Sequence, residues 1–267
     1  MTTAPSAALL DELIEFANDL ADAARLVITR HFRSNLSVNH KQSDMPRGQP
    51  VTDADRDAEF AMRGMIEAHY PDHGILGEEH GATKSDADWQ WVLDPIDGTR
   101  AFIAGLPMFG TLIGLTHGGA PVLGVIDQPV LGERFVGHAR GATFNSVPMS
   151  TRACATLDDA VFATTDVAMF ATPAARAAFE TIRRRALVTQ FGGNCYAYAM
   201  LAAGAIDLVI EADLKPWDVT ALVPVIEAAD GVITGWDGSP AHTASHVLAC
   251  GDRALYDEVA PLLKSAV

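Results

Sequence analysis

The chain has 267 residues, 49% of them hydrophobic, enough to bury a core as one large domain or as two fused lobes. Its formal charge of −15, from 19 Lys and Arg against 34 Asp and Glu, argues against a nucleic-acid partner, which calls for a basic surface. No apolar run approaches the ~20 residues that span a bilayer, and Met1 to Pro5 lack the pattern of a secretory signal, so a cytoplasmic protein with no membrane partner is expected.

From residue 6 to residue 32, apolar side chains recur at helical spacing (Leu9, Leu13, Phe16, Leu20, Ala24, Val27) with no proline between them, which predicts a long amphipathic helix. Residues 40–50 are polar, with two prolines and a glycine, and predict a mobile loop. A second helix begins after Thr52 and reaches about Tyr70. Thr52 and Asp55 fit the Ser/Thr-x-x-Asp/Glu capping pattern at its start. Residues 71–74 read as a turn, and Ile75-Leu76 as a short strand ending at Gly77-Glu78-Glu79, which taken alone is an ordinary solvated acidic pair.

The stretch Trp91-Val92-Leu93-Asp94-Pro95-Ile96-Asp97-Gly98-Thr99 is the one around which the rest of the chain is organised. Val92 and Leu93 suit a buried strand, Asp94 would emerge at its carboxyl end, and Pro95, lacking an N–H, is expected to stop further pairing. Gly98 permits close approach of backbone to a ligand, and the N–H groups of a helix start at Thr99 can hold a phosphate. Two carboxylates and an anion cradle within six residues suggest divalent metals facing a phosphate. The competing reading is a plain strand-to-helix turn in which Asp97 caps the helix and Asp94 hydrogen-bonds the loop.

Residues 109–145 contain short apolar runs (111–115, 122–126, 134–138) separated by turn signals and predict an antiparallel meander. His117 and His138 fall there and are assigned to packing or surface. A boundary is expected near Asn145 to Ala155. Beyond it strands (160–164, 187–191, 206–211, 232–234, 247–250) alternate with helices (173–184, 194–203, 216–229, 253–263), which argues for a second α/β lobe. The expected domains are thus an α+β lobe over 1–145 and an α/β lobe over 146–267. Cys154, Cys195 and Cys250 are too few and too scattered for a disulfide framework or a zinc site and read as small buried hydrophobes. Pro216 suits a first helical position and Asp218 a first turn, where the helix dipole favours a carboxylate. Glu211 ends an apolar strand, where its charge is costly unless paired or solvated. Gly192-Gly193-Asn194 reads either as a helix cap or as a pocket wall.

Taken together, Gly77-Glu78-Glu79, Asp94-Pro95-Ile96-Asp97-Gly98-Thr99 and Trp217-Asp218 before a helix resemble the inositol monophosphatase superfamily of magnesium-dependent phosphatases over nearly the whole chain. The resemblance implies a layered α-β-α-β-α sandwich of mixed α+β and α/β character. It implies two or three Mg2+ ions per site held by Glu78, Asp94, the Ile96 carbonyl, Asp97 and Asp218, with Glu79 outside that set. Thr99, backed by Asp55, would orient the attacking water, with Glu78 as a further catalytic residue, and the N–H groups of Gly98 and Thr99 would hold phosphate. Asp97, Gly192, Gly193, Asn194, Glu211 and Asp218 would contact the rest of the substrate, and Lys41 in the 40–50 loop would lie beside the metals. Arg100-Ala101-Phe102, the 192–198 segment and the 214–218 segment look more like the histidinol-phosphatase branch than the inositol-directed one. Histidinol phosphate is therefore the expected small-molecule substrate. Inositol monophosphate is second, and a nucleotide 3′-phosphate or sugar bisphosphate trails. A non-catalytic ligand-binding module is the alternative of another class. A homodimer is expected from the same resemblance.

Overall fold

The computed structural model describes residues 5–35, 37–41 and 49–266. Helix α1 (Ala7–His31) opens the chain, with the Ser6 hydroxyl accepting from the Leu9 N–H at 3.3 Å, and buries Leu13, Leu20 and Ile28 along one stripe. Strands β1 (Val38–Lys41) and β2 (Gln49–Thr52) then pair antiparallel, so the outer residues of the loop expected over 40–50 are strand instead. Residues 42–48 of that loop, and the side chain of Lys41, lie outside the described residues. Helix α2 (Asp53–His69) starts on the expected capping box, with Asp55 accepting from both the N–H and the hydroxyl of Thr52.

The first large sheet is built from β3 (Gly74–Gly77), β4 (Gly81–Thr83), β5 (Trp89–Asp97), β6 (Gly110–His117), β7 (Ala120–Gln128), β8 (Glu133–His138), β9 (Gly141–Phe144) and β10 (Val147–Met149), with the short helix α3 (Thr99–Ile103) between β5 and β6. The spatial order is β10-β9-β8-β7-β6-β5-β3-β4, and β3 runs parallel to β5 while the rest of the ladder is antiparallel. The turn into β10 is made by Asn145 and Ser146, both at positive φ, so the first sheet continues to Met149, inside the stretch 145–155 where the boundary is expected.

A second sheet is made by β11 (Val161–Thr164), β12 (Val188–Phe191), β13 (Leu208–Glu211), β14 (Val232–Gly235) and β15 (Val247–Cys250) in the order β12-β11-β13-β15-β14. Between these strands run α4 (Pro173–Arg185), α5 (Asn194–Ala202), α6 (Pro216–Val219) and α7 (Leu222–Glu227), and α8 (Arg253–Lys264) closes the chain. The single helix expected over 216–229 is two. Thr220 and Ala221 keep helical dihedrals, but Pro224 has no N–H to offer the Thr220 carbonyl, and the ladder breaks there.

Period-2 alternation sorts the side chains into layers. On the first sheet Trp91, Leu93, Ile113 and Val125 pack against α1 and α2, while Leu112, Ile126 and Phe135 turn to the other face and meet α5 and α7. On the second sheet Val209 and Ala249 face that same middle layer, and Phe162, Leu208 and Leu248 face α4 and α8. The result is the α-β-α-β-α sandwich. Its middle layer fits closely because Gly114, Gly124 and Gly137 stand side by side across β6, β7 and β8. A Cβ on Gly124 would lie 2.0 Å from the Ala221 carbonyl oxygen and one on Gly137 2.3 Å from that of Pro224. This glycine row seats the α6–α7 break on the sheet and so fixes where Asp218 sits. Among the described residues no helix is long and apolar enough to cross a membrane.

Candidate active site

Pro95 does not end β5. Pairing with β6 runs through Asp94 opposite Leu112 and resumes with Asp97 opposite Gly110, so Pro95 and Ile96 together face the single residue Thr111. That is a β-bulge, and it accommodates a residue with no N–H to give the ladder. It also reverses the alternation: residues three apart in a regular strand point to opposite faces, but one extra residue restores Asp94 and Asp97 to the same face. Leu112 and Gly110, their partners, mark that face as the middle layer, where a Cβ on Gly110 would meet the Cys195 sulfur. Both aspartates therefore look toward α5 and α6.

Asp218, in the first turn of α6, completes the group. One carboxylate oxygen from each of Asp94, Asp97 and Asp218 lies within 4.8 Å of the others. Asp218 also accepts from the Lys215 N–H at 2.7 Å, and Asp97 accepts from the Cys195 N–H in the first turn of α5. Asp94 accepts from the Ile96 N–H at 3.0 Å, which folds the bulge back on the carboxylate. Glu78 comes directly after β3, and its N–H donates to Leu93, so it stands beside β5 near the same end. Its charge raises the pKa of Asp55, Asp94, Asp97 and Asp218 alike, though among the described residues the oxygens that converge are those of the three aspartates.

Electrostatics reflect this crowding. Burial first, then the charges of Glu78, Asp97, Asp218 and Asp55, hold Asp94 well above the ordinary carboxylate range. Asp218 is raised for the same reasons, burial foremost, and Asp97 is pushed up to about 6, chiefly by burial. Among the described residues no Lys or Arg forms an ion pair with Asp94, Asp97 or Asp218. Oxygen ligands carrying unbalanced charge suit a hard divalent cation, so the donor set fits the metals expected from sequence.

Next to this group, the Thr99 hydroxyl lies 3.2 Å from the Ile96 carbonyl oxygen and 3.5 Å from Asp55. The second Asp55 oxygen is committed to Thr52, so a single carboxylate serves both cap and site. Burial raises the Asp55 pKa. Gly98 has φ +95, and a Cβ there would stand 2.8 Å from the Asn194 side-chain nitrogen and 2.9 Å from the Met108 carbonyl oxygen. Only glycine meets both demands.

Gly192, Gly193 and Asn194 join β12 to α5 on the far side of the group. Asn194 differs from the cap reading. It is the first helical residue rather than the cap, at φ +47, and its amide nitrogen donates to Met108 at 2.6 Å and to Gly192 at 3.3 Å. Its donors are spent on backbone, leaving the amide oxygen. Glu211 ends β13, only 3% exposed, and accepts from the Thr165 N–H at 3.0 Å and the Tyr198 hydroxyl at 3.2 Å. Burial, with Asp97 nearby, pushes its pKa up to about 7. Thr165, Tyr198 and the Cys195 N–H had no signal in the sequence, because their role depends on β11 and α5 meeting around Glu211 and Asp97. His117 stacks on Trp89 with ring centroids 4.0 Å apart and His138 accepts from the Arg140 N–H, both away from the carboxylates. The three cysteines are buried and unbridged.

Comparison with known proteins bears on this arrangement. A model of the inositol monophosphatase family matches residues 9–267. The chain is 44% identical over 261 residues to the bifunctional phosphatase IMPL2, chloroplastic, of Arabidopsis thaliana, covering 93% of this chain and 74% of that protein. It is 34% identical over 227 residues to a histidinol-phosphatase of Chlorobaculum parvum, covering 84% and 86%. A solved inositol monophosphatase from Zymomonas mobilis superposes with a TM-score of 0.85 at 40% identity, covering 97% of this chain and 100% of that one.

Proposed function

Because this chain belongs to the inositol monophosphatase family and is a phosphoric monoester hydrolase, we propose that it cleaves L-histidinol phosphate to L-histidinol and phosphate. The reading assigns two or three Mg2+ ions to Glu78, Asp94, the Ile96 carbonyl, Asp97 and Asp218. It rests above all on the convergence of the Asp94, Asp97 and Asp218 oxygens within 4.8 Å of one another. Bound there, Mg2+ would supply the positive charge that draws a phosphate ester in, acidifies water and stabilises the departing oxygen.

The chain's own groups do the rest. The Thr99 hydroxyl, held between Ile96 and Asp55, orients the attacking water and passes its proton toward Asp55. Burial makes Asp55 a stronger base than a solvated aspartate. The water oxygen attacks phosphorus in line, the bond from phosphorus to the histidinol oxygen breaks, and that oxygen leaves on the Asp218 side, taking a proton from a second water whose hydroxide is neutralised by the proton that Asp55 gives back. The N–H groups of Gly98 and Thr99 hold the phosphoryl oxygens as their charge grows. No covalent phosphoenzyme is needed.

Substrate choice is assigned to the wall made by Glu211, Gly192, Gly193 and the Asn194 oxygen. A buried carboxylate beside the carboxylate group favours a substrate that brings its own cation, and histidinol phosphate carries an ammonium and an imidazole. A histidinol-phosphatase at 34% identity supports the same choice. Inositol monophosphate is the second reading, favoured by the inositol monophosphatase structure at 40% identity. Phosphate release with Mg2+ tests both: kcat/KM is expected to be higher for histidinol phosphate, and a preference for inositol monophosphate overturns the substrate assignment. The resemblance also supports a homodimer, to be read by sedimentation.

A further inference from the structure

Helix α2 buries two stripes. Ala54, Ala58, Met62 and Ile66 form the apolar one. Beside it, at the same four-residue spacing, run Asp55, Glu59 and Arg63, all buried. Asp55 belongs to the site already described. Glu59, fully buried, is aimed at the turn after β3. Its Oε2 accepts from the Glu79 N–H at 2.7 Å, and its Oε1 accepts from the His80 N–H at 3.1 Å and from Arg63 Nε at 2.7 Å. Arg63 continues the clamp by donating to the Gly81 carbonyl.

The residue between this turn and the strand is Glu78. Before it stands Gly77, where a Cβ would lie 2.0 Å from the Glu59 Oε1, so the glycine is there to admit the carboxylate. The backbone on both sides of Glu78 is thus fixed: by the Glu78 N–H on Leu93, and by two consecutive N–H groups on Glu59. We propose that Glu59, secured by Arg63, is the positioning residue that aims Glu78 at the carboxylate group and thereby sets its affinity for divalent metal. The proposal deepens the functional reading and rests on Glu78 being a metal ligand there. Groups that orient a ligand without touching the metal typically change its affinity by about 10–100-fold when altered.

The test is calorimetric titration of Mg2+ into the full-length metal-free protein and its variants, with circular dichroism to confirm folding. Glu59→Gln keeps the shape but replaces one acceptor by a donor. Glu59→Asp keeps the charge but withdraws it by a methylene from the Glu79 and His80 N–H groups. Both are expected to weaken Mg2+ binding about 10–100-fold, while kcat at saturating Mg2+ recovers toward wild type. A purely structural role would lower the melting temperature and leave the affinity of the folded protein unchanged. Should the Glu59 variants fail to fold, Arg63→Lys, which keeps the charge and loses the fork, is expected to weaken Mg2+ binding in the same direction. A folded Glu59 variant, or a folded Arg63→Lys where that decides, that binds Mg2+ as tightly as wild type overturns the proposal. Wild-type affinity in Glu59→Asp alone overturns it too, since charge rather than placement would then suffice. Wild-type protein that takes up no Mg2+ instead overturns the functional reading, and this proposal with it.

Discussion

Asp127 on β7 and Asp94 on β5 lie in the same sheet with β6 between them, at 0% and 1% exposure, and the chain treats their charges in opposite ways. Asp127 receives Arg25 at 2.6 Å and Arg134 at 2.7 Å. Asp207, buried just before β13, likewise receives Arg152 at 2.6 and 2.7 Å. Among the described residues Asp94 receives one backbone N–H and the repulsion of Glu78, Asp97, Asp218 and Asp55. A buried carboxylate costs free energy unless something balances it. Where the chain supplies the cation the residue is structural. Where, among the described residues, the chain supplies only more anions, the group is suited to a cation from outside, and that difference, rather than burial or residue type, marks the candidate site off from the scaffold.

The strongest way to break the contrast is Asp94→Asn. Loss of about 10³-fold or more in kcat/KM is expected in the phosphate-release assay at millimolar Mg2+ with the fold retained, and near-wild-type turnover would contradict the scheme. Stability should move the other way. In metal-free protein Asp94→Asn relieves repulsion and is expected to raise the denaturation midpoint. Asp127→Asn leaves Arg25 and Arg134 without their anchor and is expected to cost about 3–5 kcal/mol.

The pH dependence sharpens the same point. Asp97 is pushed up from 3.8 to about 6 and Glu211 from 4.5 to about 7, while Asp94 and Asp218 rise in the same direction. Between the ordinary and raised values the folded chain keeps protons that the unfolded chain has lost, so stability falls as pH rises. The metal-free protein should therefore lose on the order of a few kcal/mol of stability from about pH 4 to about pH 7, read as a falling melting temperature. Mg2+ should reverse the loss at the alkaline end. A smaller effect is expected at Thr164, whose hydroxyl is buried with no hydrogen-bond partner among the described residues. Thr164→Val is expected to gain on the order of 1 kcal/mol in chemical denaturation.

How much of the fold and site is legible in the sequence varies with the range of the interaction. The capping box at Thr52, the α1 stripe and the meander are local patterns, and each stands in the fold as read. The Asp94 to Asp97 spacing is visible in the sequence, but its meaning is not. Pro95 suggests a strand end because local rules see only its missing N–H, whereas opposite Thr111 the ladder absorbs it as a bulge. Pro224 carries the reverse lesson: its effect on the 216–229 helix is local and available from sequence. Glu59 gives no sign of importance. An acidic residue four before an arginine is common on exposed helix faces, and its partners at Glu79 and His80 lie across a turn and a strand. Asn194 reads as a cap because Asn usually is one, but the close approach of Gly98 and Met108 recruits its amide instead.

The central claim is that Asp94, Asp97 and Asp218, whose charge no Lys or Arg among the described residues balances, converge to hold a divalent cation. The most direct measurement is an anomalous difference map from crystals grown with Mn2+ in place of Mg2+. The account predicts a peak within coordination distance of an oxygen from each of the three aspartates. Well-ordered side chains turned away from one another, with no peak between them, would contradict it.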